Sequence, residues 1–198
     1  MARDLKPKWK RCRRERYSLF DNDNWKRRPT LPGEHPVSTS RPSAYAIRFR
    51  EKQKVKRIYG LLERQFRRFI RMAEETKGNA GVRLLQLLEM RLDNVVYRLA
   101  LTPTRNAARQ LVNHGHIKVN GEKVDIPSYI VKVGDEIRVR PSTKKKEFIK
   151  IFQEQAKKNN VKKWLNKLES GGKVVMEPSR DMIDKGINEQ LIIEYYSR

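Results

Sequence analysis

The stretch TRNAARQLVNHGHIKVNGEKVDI, residues 104–126, decides the fold. Thr104 stands ahead of a run in which Ala107, Ala108, Leu111 and Val112 recur at helical spacing, so a helix capped by the threonine hydroxyl is expected there. Gly115, just past Asn113 and His114, suits a left-handed stop. From His116 the period changes to two. Ile117 and Val119 precede Asn120-Gly121, and Val124 and Ile126 follow it. Asn-Gly takes positive φ at little cost, which makes this a strong hairpin signal. A helix that runs directly into a hairpin predicts a small mixed module.

Upstream, Leu84, Leu85, Leu87, Leu88, Leu92, Val95, Val96 and Leu99 form the richest apolar helical pattern in the chain and predict core. Before them, Leu61, Leu62, Phe66, Phe69, Ile70 and Ala73 line one side of a predicted helix, with Arg64, Arg67, Arg68 and Arg71 turned away. Four like charges on one face repel one another unless an anion lies across them. Ser43 is a candidate cap for a further helix toward Tyr59. Downstream, residues 129–133 and 137–139, joined by Gly134-Asp135, read as two more short strands. Residues 142–163 read as an amphipathic helix. Residues 191–196 read as a terminal strand, with Val174, Val175 and Met176 as its partner.

Residues 1–42 hold Pro7, Pro29, Pro32, Gly33, Pro36 and Pro42 among clusters of cations, and predict an irregular basic arm. Trp9, Tyr17, Phe20 and Trp25 are interleaved with those charges. Such rings either stack on bases or anchor the arm to the protein, and anchoring is the commoner use. The expected architecture is α+β: a basic arm over 1–42, a helical body over 43–90 plus 141–198 with C-terminal strands, and an inserted module over 91–140 of two helices on a short twisted antiparallel sheet.

Charge names the class of partner. The chain carries 46 Lys plus Arg against 23 Asp plus Glu, a formal net charge of +23 over 198 residues, and such a surface attracts a polyanion. The excess is steepest over residues 1–60, where 18 basic residues face 6 acidic ones. No window approaches the ~18 consecutive apolar residues of a membrane span, and no apolar signal segment follows the first residues, so a cytosolic or organelle-made protein with no membrane partner is expected. With Cys12 as the single cysteine, no intramolecular disulfide and no all-cysteine zinc site can form. No P-loop, Gly-x-Ser-x-Gly or zinc-hydrolase motif is present, which argues against an enzyme.

Arg91-Leu92-Asp93, Thr104-Arg105 with Ala108, Gly115-His116-Ile117, Val119-Asn120-Gly121, Pro127 and Gly134-Asp135 together resemble the RNA-binding module named after the S-four family of small-ribosomal-subunit proteins. The flanks resemble that family itself, of bacterial or organellar type. They include Arg50-Glu51-Lys52-Gln53-Lys54-Val55, Arg57-Ile58-Tyr59-Gly60, Lys77-Gly78-Asn79 and the ending Glu194-Tyr195-Tyr196-Ser197-Arg198. The resemblance implies a non-enzymatic component of the small subunit that binds the 5′ domain of 16S-type rRNA, nucleates assembly and influences translational accuracy. It also implies the fifth protein of the subunit as a neighbour and, in some bacteria, the protein's own mRNA as a second RNA partner.

Arg105 and Arg109, four residues apart, fall on one helical face suited to gripping phosphates, with His114, His116 and Lys118 around the helix end. Each histidine is equally open to a plain turn role. Asp93 reads as a structural partner. The full expected RNA-binding set is Arg11, Arg13, Arg14, Lys26, Arg27, Arg28, Arg50, Lys54, Arg57, Arg64, Arg67, Arg68, Arg105, Arg109, His114, His116 and Lys118. Many members of the family hold zinc with four cysteines in the arm. This chain keeps only Cys12, with Trp9 where the first ligand would stand, so no zinc or other cofactor is expected. The arm is then ordered by packing of Trp9, Tyr17 and Trp25, or by RNA.

Overall fold

The computed structural model describes residues 7–20, 23–33, 41–76, 78–144, 146–156, 160–168 and 170–197. Its helices are α1 (Lys8–Glu15), α2 (Ala44–Ile58), α3 (Glu63–Glu74), α4 (Ala80–Glu89), α5 (Leu92–Arg98), α6 (Arg105–Asn113), α7 (Pro141–Lys144), α8 (Glu147–Ala156) and α9 (Glu189–Tyr196), with 3-10 turns at Asn24–Arg27 and Arg180–Met182. Strands β1 (Ile117–Val119), β2 (Glu122–Lys123), β3 (Glu136–Val139), β4 (Leu165–Leu168) and β5 (Gly171–Val174) form one antiparallel sheet in the order β2-β1-β3-β5-β4. The class is α+β, with the module inserted in a helical body. Two compact units result: Met1–Leu84 with Lys185–Arg198, and Leu85–Asp184.

In the first unit, Ser43 Oγ accepts from the Ala46 amide at 3.2 Å and so starts α2 where the sequence places it. Helix α3 buries Phe66, Phe69, Ile70 and Ala73 along one side. The predicted terminal strand is a helix instead. Asn188 Oδ1 accepts from the amides of Gln190 and Leu191 at 3.2 and 3.5 Å and opens α9. Ile192 is then fully buried, and Tyr195 meets Phe49 and Tyr45 of α2 at 6.0 and 5.6 Å. The β-branched and aromatic residues of 191–196 serve a helix-packing face, so local propensity gives way to tertiary contact.

The expected irregular arm also needs correction, because α1 is a regular helix. It buries Arg11, Cys12 and Glu15, a face with almost no apolar period to detect. Glu15 lies on α1 and is ion-paired with Arg57 and, at 3.4 Å, Arg50 of α2, and these long-range partners hold the helix in place. Pro36 falls outside the described residues.

In the second unit, the long apolar pattern divides into α4 and α5. Arg91 breaks it by adopting extended backbone (φ −68°, ψ 137°) and bridging Ile130, while the Leu92 amide donates to Tyr129 O at 2.8 Å. That single bridge is all the ladder structure found in the predicted strand 129–133, because β3 pairs with β1 and β5. Helix α6 starts as expected, Thr104 Oγ1 accepting from the Ala107 amide at 3.2 Å. The hairpin turns at Asn120 (φ 50°) and Gly121 (φ 87°). Asn120 Nδ2 also donates to Asp135 Oδ1 at 2.8 Å, which locks the two turns together.

Val174 belongs to β5, which inserts between β3 and β4; it has no partner in 191–196. Gly171 and Gly172 permit that insertion. A Cβ on Gly171 would sit 2.0 Å from Ile137 O, and one on Gly172 would sit 2.3 Å from Leu99 Cδ2. Residues 141–184 therefore fold with the module rather than with the helical body to which the sequence assigns them. The expected helix over 142–163 is two shorter ones, α7 and α8, ending at Ala156. The core of this unit joins Leu92, Val95, Val96 and Leu99 to Leu111, Val112, Ile117, Ile137, Trp164 and Val174.

Candidate nucleic-acid interface

In the first unit, burial of one side of α3 leaves Arg64, Arg67, Arg68 and Arg71 on the other, all four exposed. With Glu63 they line an open groove of about 690 Å³. Among the described residues none of the four arginines is ion-paired. Four guanidinium groups on one helical face give fixed, bidentate donors at regular separation, suited to phosphate oxygens.

The base of α3 is anchored by a cluster. Glu63 takes Lys52 Nζ at 3.0 Å, Lys56 Nζ at 2.9 Å and the Tyr196 hydroxyl at 2.6 Å. Lys52 Nζ also lies 4.9 Å from the Phe49 ring and 4.6 Å from the Tyr195 ring. Burial alone would raise the Glu63 pKa, but hydrogen bonds from Tyr196, Lys56 and Lys52 outweigh it and bring it down to about 2. Burial, together with the bond to Glu63, pushes the Tyr196 phenol well above its ordinary value. For Glu15 the balance runs the other way, with burial raising the pKa despite Arg57 and Arg50. These cations of α2 therefore hold protein carboxylates.

The arm's cations divide similarly. Arg11 is buried. Arg13 Nη1 donates to Thr30 O at 3.3 Å and Arg14 Nη2 to Pro32 O at 2.9 Å, so both staple the segment that follows. Trp25 Nε1 donates to Ser18 Oγ at 3.0 Å, and Trp25 is half-buried. Lys26 is exposed but pairs with Asp23 at 2.6 Å. Arg27 and Arg28 are exposed. Lys54 donates to Gly186 O at 3.0 Å and pairs with Glu51 at 2.7 Å. Among the described residues no group of three or more His, Cys, Asp or Glu is placed to hold a metal ion.

In the second unit, the arginines of α5 and α6 face inward. Arg98 donates to both Glu89 carboxylate oxygens, at 2.9 and 2.6 Å, with Glu89 1% and Arg98 8% exposed. Asn94 Nδ2 donates to Glu89 at 2.8 Å, and Arg105 Nε donates to Asn94 Oδ1 at 3.0 Å. The Arg105 guanidinium also lies 4.5 Å from the Tyr97 ring centroid. Arg91 binds Asp93 in bidentate fashion at 3.1 and 2.9 Å, as expected for Asp93, and Arg109 approaches the same carboxylate at 3.8 Å while only 7% exposed. His114 is exposed, and His116 and Lys118 are half-buried beside it.

A family model described as "S4 domain" matches residues 90–137, and one described as "Ribosomal protein S4/S9 N-terminal domain" matches residues 3–89. The chain is also similar, over the whole length of both partners, to proteins named "Small ribosomal subunit protein uS4". The identity is 49% over 209 residues for Caldicellulosiruptor bescii, 49% over 212 for Herpetosiphon aurantiacus and 49% over 208 for Clostridium botulinum. The chain belongs to the uS4 family. The two matched segments divide it near residue 90, and the exposed α3 face falls in the first of them. Within this uS4 chain, the structure brings Arg64, Arg67 and Arg68 together on one surface and adds Arg71, which the expected set leaves out although it continues the same helical row. It sets Arg11, Arg50, Lys54, Arg57, Arg105 and Arg109 against protein groups.

Proposed function

We propose that this chain is a non-enzymatic, structural component of the small ribosomal subunit that binds the 5′ domain of 16S-type rRNA, nucleates assembly and influences translational accuracy. The observation that carries the reading is the α3 face: four exposed arginines, without ion-pair partners among the described residues, in a chain matched along its length by uS4 proteins. Recognition is of RNA shape. Fixed cations meet phosphates at set separations, and no base code is required. Arg64, Arg67, Arg68 and Arg71, with Arg27, Arg28 and Lys26 of the arm and His114 and Lys118 of the module, form the contact set. Arg11, Arg13, Arg14, Arg50, Lys54, Arg57, Arg105 and Arg109 shape and hold the surfaces on which that set is displayed.

The fifth protein of the subunit is a neighbour in this reading, and the protein's own mRNA is a second RNA partner. The place of work is the ribosome, in the cytoplasm or an organelle. No zinc or other cofactor is required: Cys12 is fully buried and the arm is held by the Glu15 ion pairs. Among the described residues no helix is long and apolar enough to cross a membrane.

The test is binding of the purified protein to a 5′-domain transcript and to an arbitrary RNA duplex at near-cellular ionic strength, with chemical footprinting of the transcript. Preference for the transcript and protection at a helical junction are expected. Equal affinity for both RNAs would sink the reading.

A further inference from the structure

Four rings form a ladder on the second unit, beginning at His114 of the contact set and running away from it along α8. His114 lies 6.1 Å from His116 at 62°, His116 lies 5.7 Å from Phe148 at 48°, and Phe148 lies 5.7 Å from Phe152 at 71°. His114 is exposed; His116, Phe148 and Phe152 are half-buried. Phe148 leans on the hydrophobic core, whereas Phe152, one helical turn further along α8, is not among the residues packed there. Helix α7 and the residue before it hold the ladder. Thr143, 1% exposed, is hydrogen-bonded through Oγ1 to His116 Nδ1 at 2.9 Å, the imidazole tautomer deciding which donates. Arg140 Nη1 donates to Gly115 O at 3.1 Å, between the two histidines.

The surroundings are cationic. Lys146 Nζ is 6.0 Å from the Phe148 centroid, and Lys144 and Lys146 are both exposed. Burial first, then Lys146, His114 and Arg140, holds the His116 pKa below the ordinary imidazole value. Partly exposed rings that meet edge-to-face or tilted, rimmed by cations, suit single-stranded nucleic acid: an outward ring face takes an unpaired base, and the cations take the adjoining phosphates.

We infer that the His114–His116–Phe148–Phe152 ladder is a stacking subsite for an unpaired base of the bound RNA, with Arg140 and Lys146 on its flanking phosphates. This rests on the RNA-binding reading and adds to it a contact with a base face, which the arginines of α3 do not supply. Stacking tolerates any base and does not release counterions, so its loss lowers affinity without changing the salt dependence.

The probes are a ten-nucleotide oligoadenylate and an abasic oligomer of the same length, which keeps the phosphates and removes the bases. The intact protein is expected to favour oligoadenylate by about tenfold. Phe152→Leu, which removes a ring outside the core, and Phe148→Leu/Phe152→Leu are expected to erase that preference with affinity for the abasic oligomer kept; Phe152→Tyr keeps it. Equal affinity of the intact protein for the two oligomers, or an undiminished preference in the leucine variants, overturns the subsite. Binding to the 5′-domain transcript, measured on the same samples, reports separately on the broader reading.

Discussion

Helix α3 and the α5–α6 pair are both rich in arginine, and they use it in opposite ways. On α3 the four guanidinium groups stand exposed, with hydrophobic residues filling the other face. On α5 and α6 the guanidinium groups of Arg98, Arg105 and Arg109 are turned into the protein, against Glu89, Asn94, Tyr97 and Asp93. The difference lies in the partners within reach. A cation beside a buried carboxylate becomes part of the fold, because removing either member strands the other in a medium of low dielectric. A cation with water on all sides contributes little to folding and stays available to an external anion.

The largest effect expected from this contrast is on the inward side. Arg98→Ala leaves the Glu89 carboxylate, 1% exposed, without its bidentate partner, and should cost about 3–5 kcal/mol of stability. Chemical denaturation followed by circular dichroism measures it. A cost near zero would mean that Glu89 is readily rehydrated and that the arginines of α5 and α6 differ from those of α3 only in appearance.

Next is the outward side. Replacing Arg64, Arg67, Arg68 and Arg71 together with glutamine should leave stability within about 0.5 kcal/mol, as for most exposed positions. If all four touch phosphate, the slope of log affinity for 5′-domain rRNA against log salt should flatten by about 3.6. An unchanged slope would remove α3 from the interface. A large loss of stability would show that the row is structural after all.

Between the two lies Arg105→Ala with Arg109→Ala. Both arginines look, from their spacing, like a phosphate grip, and both are held by protein groups in the structure. Lost stability with a nearly unchanged salt slope is expected. A flattened slope in a fully folded variant would return them to the contact set.

That last pair marks the limit of what could be read from the sequence. Periodicity and capping identify α2, α3 and α6, because Ser43, Thr104 and the apolar rows act locally, and Asn120-Gly121 identifies the hairpin for the same reason. Helix α1 escapes notice because it is held by Glu15 reaching Arg50 and Arg57, 35 and 42 residues away. Helix α9 looks like a strand because its branched and aromatic residues serve packing against α2. The strand β5 is equally hidden, since Gly171 and Gly172 are legible only once Ile137 and Leu99 are seen to press on them. For the site, the α3 row is legible because amphipathicity alone decides which way its arginines point. On α6 the carboxylate of Asp93 decides, and only the fold brings it within 3.8 Å of Arg109.

The smallest effect sharpens the contrast within α3 itself, at Glu63, the residue that ties the helix's first turn to Lys52, Lys56 and Tyr196. Its pKa in the folded chain is about 2, against an ordinary value of 4.5. Above pH 4.5 the carboxylate is charged in both folded and unfolded chains, and its full stabilising contribution is present. As pH falls below that, the unfolded chain takes up the proton first, so the contribution drains away until the folded carboxylate also protonates near pH 2. The side chain is 38% exposed, and solvent screening holds the effect to about 1 kcal/mol or less. Glu63→Gln should therefore lower stability modestly at pH 6, and the gap between variant and parent should close between pH 5 and pH 2. Because Glu63→Gln leaves all four arginines in place, the number of phosphate contacts is kept and the salt slope of rRNA binding at neutral pH should stay unchanged. A constant gap across the acid range would show that the cluster is held by packing around Lys52 rather than by charge. A changed salt slope would show that Glu63, which lines the same groove, sets the geometry in which the outward arginines are presented.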